Sequence, residues 1–478
     1  MDGIKIGLEV HIQLNTDTKL FCQCHTEISN PNENTCEICL GFPGAKPLLN
    51  EKAVELALKI AVALDSKINK VINFSRKTYF YPDLAKNFQI TQYELPISTS
   101  GKLKVLDRVV RIKRIHIEED PAKIIRKNEY TLIDYNRSGI PLVEIVTEPD
   151  IRSPREARIF LQNLQQLLEF IYVCDFSREG SMRVDANISI SKYREKYDYI
   201  KSGNIVKKVE GARVEIKNIS GIKEVEKALN YEILRQKNLK EVKRETRVWN
   251  EKTKITDSAR EKEFEEDYGY IFEPNLCIFE IKDELVNKIY SNLPELPEMK
   301  RQRYLKYGLS EEIVNTLLSE PELSHYFEYL CETHNEKVSA VILAKYLKKT
   351  LNYHGIKLKD VNVEIRYLRR IIDLLQEYLI TDDIAEFIIR EMVSDYTKGK
   401  TIRDPDRILR DMKYTRPLDE EKLRKFVRDV IRENGKAVMD YKKGEKKAFD
   451  YLIGQVMKKA GRRGNIKHII YLLKHELD

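Results

Sequence analysis

From Ile4 to Leu14 every even-numbered residue is apolar (Ile4, Ile6, Leu8, Val10, Ile12, Leu14), and Lys5, Glu9, His11 and Gln13 fall between them. A period of two marks a strand with one buried face, so Glu9 and His11 share the other. The alternation recurs at Leu142–Glu148, at Arg213–Lys217 and at Ser181–Ile190, where Arg183, Asp185 and Asn187 stand side by side. Strands with apolar backs and acidic, basic and amide groups in front predict an antiparallel-rich sheet, apolar behind and functional in front. Helical stretches lie between them, notably Glu51–Leu64 and Ser153–Tyr172, where Ser153-Pro154 supplies an N-cap and a first helical position. The predicted class is α+β.

At Pro294 and Pro297 the period changes to that of helices, and few strand candidates follow. Asp404-Pro405 and Arg416-Pro417 mark a second seam. The expected organisation is a sheet cradle with flanking helices over 1–293, an all-helical domain over 294–405 and a small helical tail over 406–478. A chain of 478 residues exceeds what one core usually supports, which agrees with such a division.

Composition narrows the class. The chain is 42% hydrophobic and 33% charged, with no apolar run long enough to cross a bilayer and no basic-apolar leader, so a cytoplasmic protein without membrane association is expected. A formal charge of +8, from 84 Lys+Arg against 76 Asp+Glu, admits a polyanionic partner without requiring one.

Of seven cysteines, four cluster as two pairs, Cys22/Cys24 and Cys36/Cys39, around a polar loop of Asn30, Pro31, Asn32, Glu33 and Asn34. Two close pairs of thiolates suit a closed tetrahedral zinc site, with His25 a spare ligand and buried inert thiols the alternative. Such a site is structural, since no position is left open for chemistry. Glu9, His11, Glu118, Glu119 and Glu144 form a second constellation on or beside the polar face, and carboxylates around a histidine suit Mg²⁺ completed by a substrate's phosphates. An ordinary solvated face is the alternative. Strand parity in Arg114-Ile115-His116-Ile117-Glu118 places Glu118 with the polar set and Glu119 opposite, unless the strand bulges or ends there. Arg76, Lys77, Tyr79, Phe80 and Tyr81 combine cations and rings that suit a nucleotide, or equally a strand edge anchored by tyrosines.

Absences matter as well. Gly399-Lys400-Thr401 has the end of a P-loop, but Ser394 stands where its first glycine belongs, and no Rossmann glycine fingerprint occurs. No cysteine or serine sits in a glutaminase context, so ammonia would come from a partner. The C-terminal run Lys458, Lys459, Arg462, Arg463, Lys467 suits a phosphate backbone, a solvated helix face being the alternative.

In order along the chain stand Ile6-Gly7-Leu8-Glu9-Val10-His11, the paired cysteines followed by Leu40-Gly41-Phe42-Pro43-Gly44-Ala45, Tyr79-Phe80-Tyr81-Pro82-Asp83 and Ile117-Glu118-Glu119-Asp120. Asn136-Arg137-Ser138-Gly139-Ile140-Pro141, Glu148-Pro149-Asp150-Ile151-Arg152-Ser153, Glu179-Gly180-Ser181-Met182-Arg183-Val184-Asp185-Ala186-Asn187 and Val214-Glu215-Ile216-Lys217-Asn218 follow. Together with Asp440-Tyr441-Lys442-Lys443-Gly444 and Gly454-Gln455-Val456-Met457 in the tail, this set resembles the GatB/GatE family, whose GatB members belong to Glu-tRNA(Gln)/Asp-tRNA(Asn) amidotransferases.

The resemblance implies an ATP-dependent ligase subunit. Its cradle would phosphorylate the side-chain carboxylate of misacylated Asp-tRNA(Asn) or Glu-tRNA(Gln) using ATP and Mg²⁺, and ammonia from a glutaminase partner would then displace the phosphate. It implies a heterotrimer with an amidase subunit (GatA) and a small subunit (GatC), misacylated tRNA as substrate, and an aminoacyl-tRNA synthetase as a further candidate partner. Carried over by position, Glu9, His11, Glu119 and Glu144 match the catalytic metal residues, the family pattern selecting Glu119 against strand parity. Lys77, Tyr81, Arg183, Asp185 and Lys217 match nucleotide and acceptor-end positions, and Cys22, Cys24, Cys36 and Cys39 match the zinc cluster. The chain departs from the family at Asp267-Tyr268-Gly269-Tyr270-Ile271-Phe272-Glu273-Pro274-Asn275, which lacks the usual arginine and final aspartate. It departs again at Pro121-Ala122, where the family has Ala-Gly. A tRNA-binding subunit without catalysis and a metal-dependent nuclease are the competing readings.

Overall fold

The computed structural model describes residues 3–27, 29–178, 180–198, 203–209, 211–239, 241–261, 269–412, 418, 420–461 and 465–477. Glu179, Asp267, Tyr268, Arg416, Pro417, Arg462 and Arg463, singled out above, lie outside the described residues. The chain divides into two compact units, Met1–Pro297 and Glu298–Asp478. No helix among the described residues is long and apolar enough to cross a membrane.

The first unit is built on a ten-stranded sheet. Its strands, with those of a small neighbouring sheet, are β1 Gly3–Gln13, β2 Lys67–Ile68, β3 Ser75–Thr78, β4 Phe88–Thr91, β5 Ser98–Val105, β6 Arg108–Glu119, β7 Pro141–Thr147, β8 Met182–Asp198, β9 Gly203–Val209, β10 Val214–Ile219, β11 Glu245–Asn250, β12 Ile255–Glu261 and β13 Gly269–Phe272. The order across the large sheet is β12-β11-β10-β8-β1-β7-β6-β5-β2, with β9 paired to β8, and β13-β3-β4 form the separate three-stranded sheet. The only parallel neighbours described in the large sheet are β10 and β11. The helix Ile222–Asn238 crosses between them, as a parallel pair requires.

The four strands read from alternation are therefore contiguous, as β10-β8-β1-β7. Their alternating apolar residues face one core: Ile6, Val10, Ile12, Ile145, Val184, Ile188, Val214 and Ile216 are almost fully buried. Helices α1 Glu51–Ala63, α2 Pro154–Phe170 and α3 Ile222–Asn238 contribute Leu58, Ile60, Phe160, Leu164, Val225 and Leu229 to the same core. Local signals start the first two helices where expected. Asn50 accepts from the backbone N–H of Lys52 and Ala53, and Ser153 accepts from Glu156 N, while Glu156 accepts from Arg152 N at 2.9 Å. The caps satisfy donors a helix start otherwise leaves orphaned, and Glu156 ties the residue before the cap to the first turn. With its helices behind, the sheet leaves its charged face open.

The described residues of the second unit form helices and no strand. Asp404 caps Pro405–Asp411 by accepting from Arg407 N. Helices Glu420–Glu433, Lys446–Lys459 and Ile466–Leu477 enclose a cluster of their own around Leu423, Val427, Leu452, Val456, Ile469 and Leu473.

Candidate functional site

Register turns separate polar positions into one constellation. His11 pairs with Arg183 on β8 and with Glu144 on β7, and Glu144 pairs with His116 on β6. Arg183, His11, Glu144 and His116 thus form a row across four strands, a strand spacing of about 4.8 Å apart. Glu118 follows His116 by two residues and keeps its face. His11 Nδ1 lies 3.0 Å from Glu118 Oε1, and His116 Nε2 lies 3.0 Å from Glu144 Oε2. One ligand atom each from His11, Glu118 and Glu144 fit within 4.8 Å of one another.

The electrostatics are those of a concentrated anionic pocket. Burial alone would lower the His11 pKa, but Glu144 and Glu118 outweigh it and hold it up at about 10. His116 is raised by the same neighbours against the same burial. For Glu144, burial pushes upward and the two imidazoles overcome it, leaving about 2, and Glu118 is likewise held below the usual range against burial by His11 and His116. Imidazoles and carboxylates that converge in this way have the donor set of a divalent-cation site, in which a ligating imidazole gives up its proton to the incoming ion.

One step along the sheet lies a second acidic set. Glu9 pairs with Asp185, and Asn187 with Glu215, so single ligand atoms of Glu9, Asp185 and Glu215 also converge within 4.8 Å. Burial raises the pKa of Glu9, and Glu144, Glu215 and Asp185 add to it. Asp185 is raised chiefly by burial. Their compensation is partial: Asn187 Nδ2 donates to Glu9 at 2.9 Å, Asn218 N donates to Asp185 at 2.9 Å, and Arg213 stands 3.5 Å from Glu9. Both sets line one cavity of 670 Å³, with Lys77, Arg183 and Lys217 on its wall.

The structure corrects one sequence expectation. Glu118, not Glu119, joins His11 and Glu144. Glu119 points to the other side of β6, where Lys86 Nζ donates to it at 2.6 Å and Ile90 N at 2.8 Å. Parity holds to the last residue of the strand, because no bulge intervenes between Ile115 and Glu119 in its pairing with β7. Tyr81 does not line the cavity. Its hydroxyl accepts from Arg126 at 3.0 Å, while Tyr79 is in the lining and Lys77 sits 5.8 Å over the Tyr79 ring.

His116, Glu215 and Arg213 were not among the expected site residues. The signal existed for each, since His116 shares the parity of Glu118, and Glu215 and Arg213 share that of Lys217. The departures from the family pattern also have local consequences. Gly269 pairs with Thr78, and a Cβ there would meet only Thr78 at 3.7 Å, so the missing side chain leaves space. Asn275 donates from both its backbone N and Nδ2 to Glu273 Oε1 at 3.0 Å, which an aspartate side chain could not do.

The thiols of Cys22, Cys24, Cys36 and Cys39 form one group with mutual separations within 4.8 Å, and none is in a disulfide. Cys39 Sγ accepts from Cys36 N at 3.1 Å and lies 3.6 Å from the ammonium of Lys19, a fully buried lysine. Hydrogen bonding from Cys22 holds the Cys39 thiol down at about 5 against burial, with Lys19 helping, whereas Cys22 is pushed up. His25 is exposed and outside the group. Four convergent sulfurs beside a buried cation can hold a metal, the lysine offsetting the negative charge of four thiolates.

Comparison with known proteins gives the same regions a family context. Residues 4–287 match the GatB/GatE catalytic domain, and residues 325–477 match the GatB domain. The chain is 40% identical to the B subunit of the aspartyl/glutamyl-tRNA(Asn/Gln) amidotransferase from Methanospirillum hungatei, over 99% of this chain and 98% of that one. The proteins of the same name from Sulfolobus acidocaldarius (41%, over 99% of each chain) and Carboxydothermus hydrogenoformans (38%, over 99% and 98%) are similarly close.

Proposed function

This chain belongs to the GatB/GatE family, and from that premise we propose that it is the carboxylate-activating component of a tRNA-dependent amidotransferase. Its substrate is aspartate or glutamate esterified to tRNA(Asn) or tRNA(Gln). A side-chain carboxylate oxygen attacks the γ-phosphorus of ATP and ADP leaves. Ammonia then attacks the acyl carbon of the resulting acyl phosphate, and inorganic phosphate and a proton depart as the amide forms. Ammonia comes from the amidase GatA, held in a cytoplasmic heterotrimer with GatC, because no glutaminase nucleophile is recognisable in this chain. The cradle carries the chemistry, and the helical and tail portions of the second unit engage the tRNA.

The observation that carries this reading is the pair of convergent ligand sets in one cation-walled cavity. Magnesium, if bound there, would supply charge neutralisation for a nucleotide's phosphates, which is the main demand of phosphoryl transfer to a carboxylate. His11, Glu118 and Glu144 would hold one ion, and Glu9, Asp185 and Glu215 offer a place for another. Lys77, Arg183 and Lys217 face the phosphates and the acceptor end, supplying charge where it develops. The polar row is recessed among strands, which shields a water-labile acyl phosphate until ammonia arrives. Apart from this cavity, the four thiolates hold structural zinc.

The test bypasses the partner's glutaminase. Ammonium, ATP and Mg²⁺ are given to the assembled complex with each misacylated tRNA, and amide formation and ADP release are followed for the wild type and for Glu9→Ala. Wild type should convert at least one tRNA with stoichiometric ADP, and Glu9→Ala should fail. Amidation without ADP release would remove the kinase reading, and undiminished conversion by the variant would remove the site. A non-catalytic tRNA-binding protein would show neither product.

A further inference from the structure

We propose that the metal held by Cys22, Cys24, Cys36 and Cys39 positions the reaction cavity, by clamping a loop that sets the Arg137–Asp120–Arg183 bridge in the cavity wall. The inference rests on the cavity being the reaction site proposed above. Residues 30–33 are exposed and polar and have no apolar core of their own. What orders this loop is the sulfur cluster at its ends and one neighbouring segment, residues 133–139.

The two segments are laced together. Asn32 N donates to Asp134 Oδ1 at 3.1 Å, Tyr135 N to Asn32 Oδ1 at 2.7 Å, Asn34 N to Asn136 Oδ1 at 2.8 Å, and Asn136 Nδ2 to Asn30 O at 2.7 Å. Ser138 Oγ donates to Cys39 O at 3.0 Å, next to a metal ligand. Buried Lys19 spans both sides, donating to Asn34 O at 2.7 Å and Tyr135 O at 3.3 Å while its ammonium stands beside Cys39. Gly139, at φ +86°, lies against Lys19 and Cys39, where a Cβ would stand 3.5 Å from one and 3.6 Å from the other.

The laced segment then reaches the cavity. Gly139 N donates to Asp120 O, and Asp120 N to Ile140 O, each at 2.9 Å. The Arg137 guanidinium grips the Asp120 carboxylate, which Arg183 Nη2 also contacts at 2.7 Å. Arg183 and Asp120 both line the cavity. Because a metal site is ordered only as its ligands assemble, loss of the ion frees the loop and with it the seat of residues 133–139. Arg137 is a positioning residue in this scheme, acting through Asp120 on Arg183.

The experiment is amide hydrogen exchange on the full-length chain, metal-loaded, after chelation, and as metal-loaded Asn136→Ala, with metal content measured in each. Asn136→Ala keeps all four thiols and removes three bonds between the segments, to Asn34 N, Asn30 O and Ser29 Oγ. Chelation should speed exchange in 30–39, in 134–140 and in 118–121, leaving helix α1 protected. Asn136→Ala should keep its metal and show about fivefold or greater faster exchange in 118–121, the scale set by losing one ordinary net hydrogen bond. Faster exchange confined to 22–39, or equal loosening of α1, would overturn the proposal, as would an unchanged 118–121 in loaded Asn136→Ala. Exchange is read without turnover, so amidation assayed on the same samples separates failure of the brace from failure of the reaction assigned to the cavity.

Discussion

Replacing Glu118 and Glu119 one at a time by glutamine separates the proposed metal ligand from its structural neighbour. Glu118 faces His11 at 3.0 Å within a set of three ligand atoms, so Glu118→Gln removes an anionic donor from a site that has few. Outer-shell changes alone cost metal sites about 10–100-fold in affinity, so a lost ligand should weaken Mg²⁺ or Mn²⁺ binding by roughly 100-fold or more, about 2.7 kcal/mol. Glu119→Gln leaves that set intact but breaks the buried pair with Lys86, whose side chain is only 12% exposed. Stranding a buried charge costs about 3–5 kcal/mol, which in a unit the size of Met1–Pro297 lowers Tm by roughly 5–8 °C. Calorimetric titration with Mn²⁺ gives the affinities, and a thermal melt without metal gives the stabilities. Glu118→Gln should lose metal, whereas Glu119→Gln should keep its metal affinity while lowering the apo melt. If Glu119→Gln abolished binding while Glu118→Gln kept it, the face assignment along β6 would be refuted.

Three further outcomes are expected. The Arg76–Glu273 pair, bidentate at 2.7 and 2.9 Å, keeps Glu273 below its ordinary pKa although burial opposes it. Its contribution is therefore present above the unfolded value of about 4.5 and lost as pH falls through the folded one, so Glu273→Gln should destabilise at pH 7 and cost progressively less as pH drops below 4.5 in paired melts. Asn275→Asp sets a carboxylate against Glu273 where Nδ2 now donates, and should cost about 1–3 kcal/mol at pH 7 by denaturant titration, with no loss if the contact is dispensable. Leu452 is fully buried among the last helices, so Leu452→Ala should cost about 2–5 kcal/mol and show as protease cutting after residue 420, with residues 3–261 still protected.

Four strands of the large sheet and two of the helices behind it were legible because their signals are local. Period-two alternation names the buried face of a strand wherever the strand ends up, and Asn50 and Ser153 cap helices through atoms two or three residues away. The paired cysteines were equally readable, since ligands close in sequence need little help from the fold to meet. Glu118 shows that parity, a property of the backbone, decided more than likeness of motif.

What the sequence by itself determined was thus which side chains share a face, where helices begin, and which sulfurs can converge. Only the tertiary structure decided which of those faces adjoin. Register joins His11 to residues more than a hundred positions away, and a slip of one residue would have sent Glu144 into the core. Such pairings are chosen by burial summed over whole strands, so His116 and Glu215 became members of the site only when β6 and β10 took their places in the sheet. The lacing of the cysteine loop to residues 133–139 belongs to the same class: each amide there finds its partner because two distant segments were brought side by side.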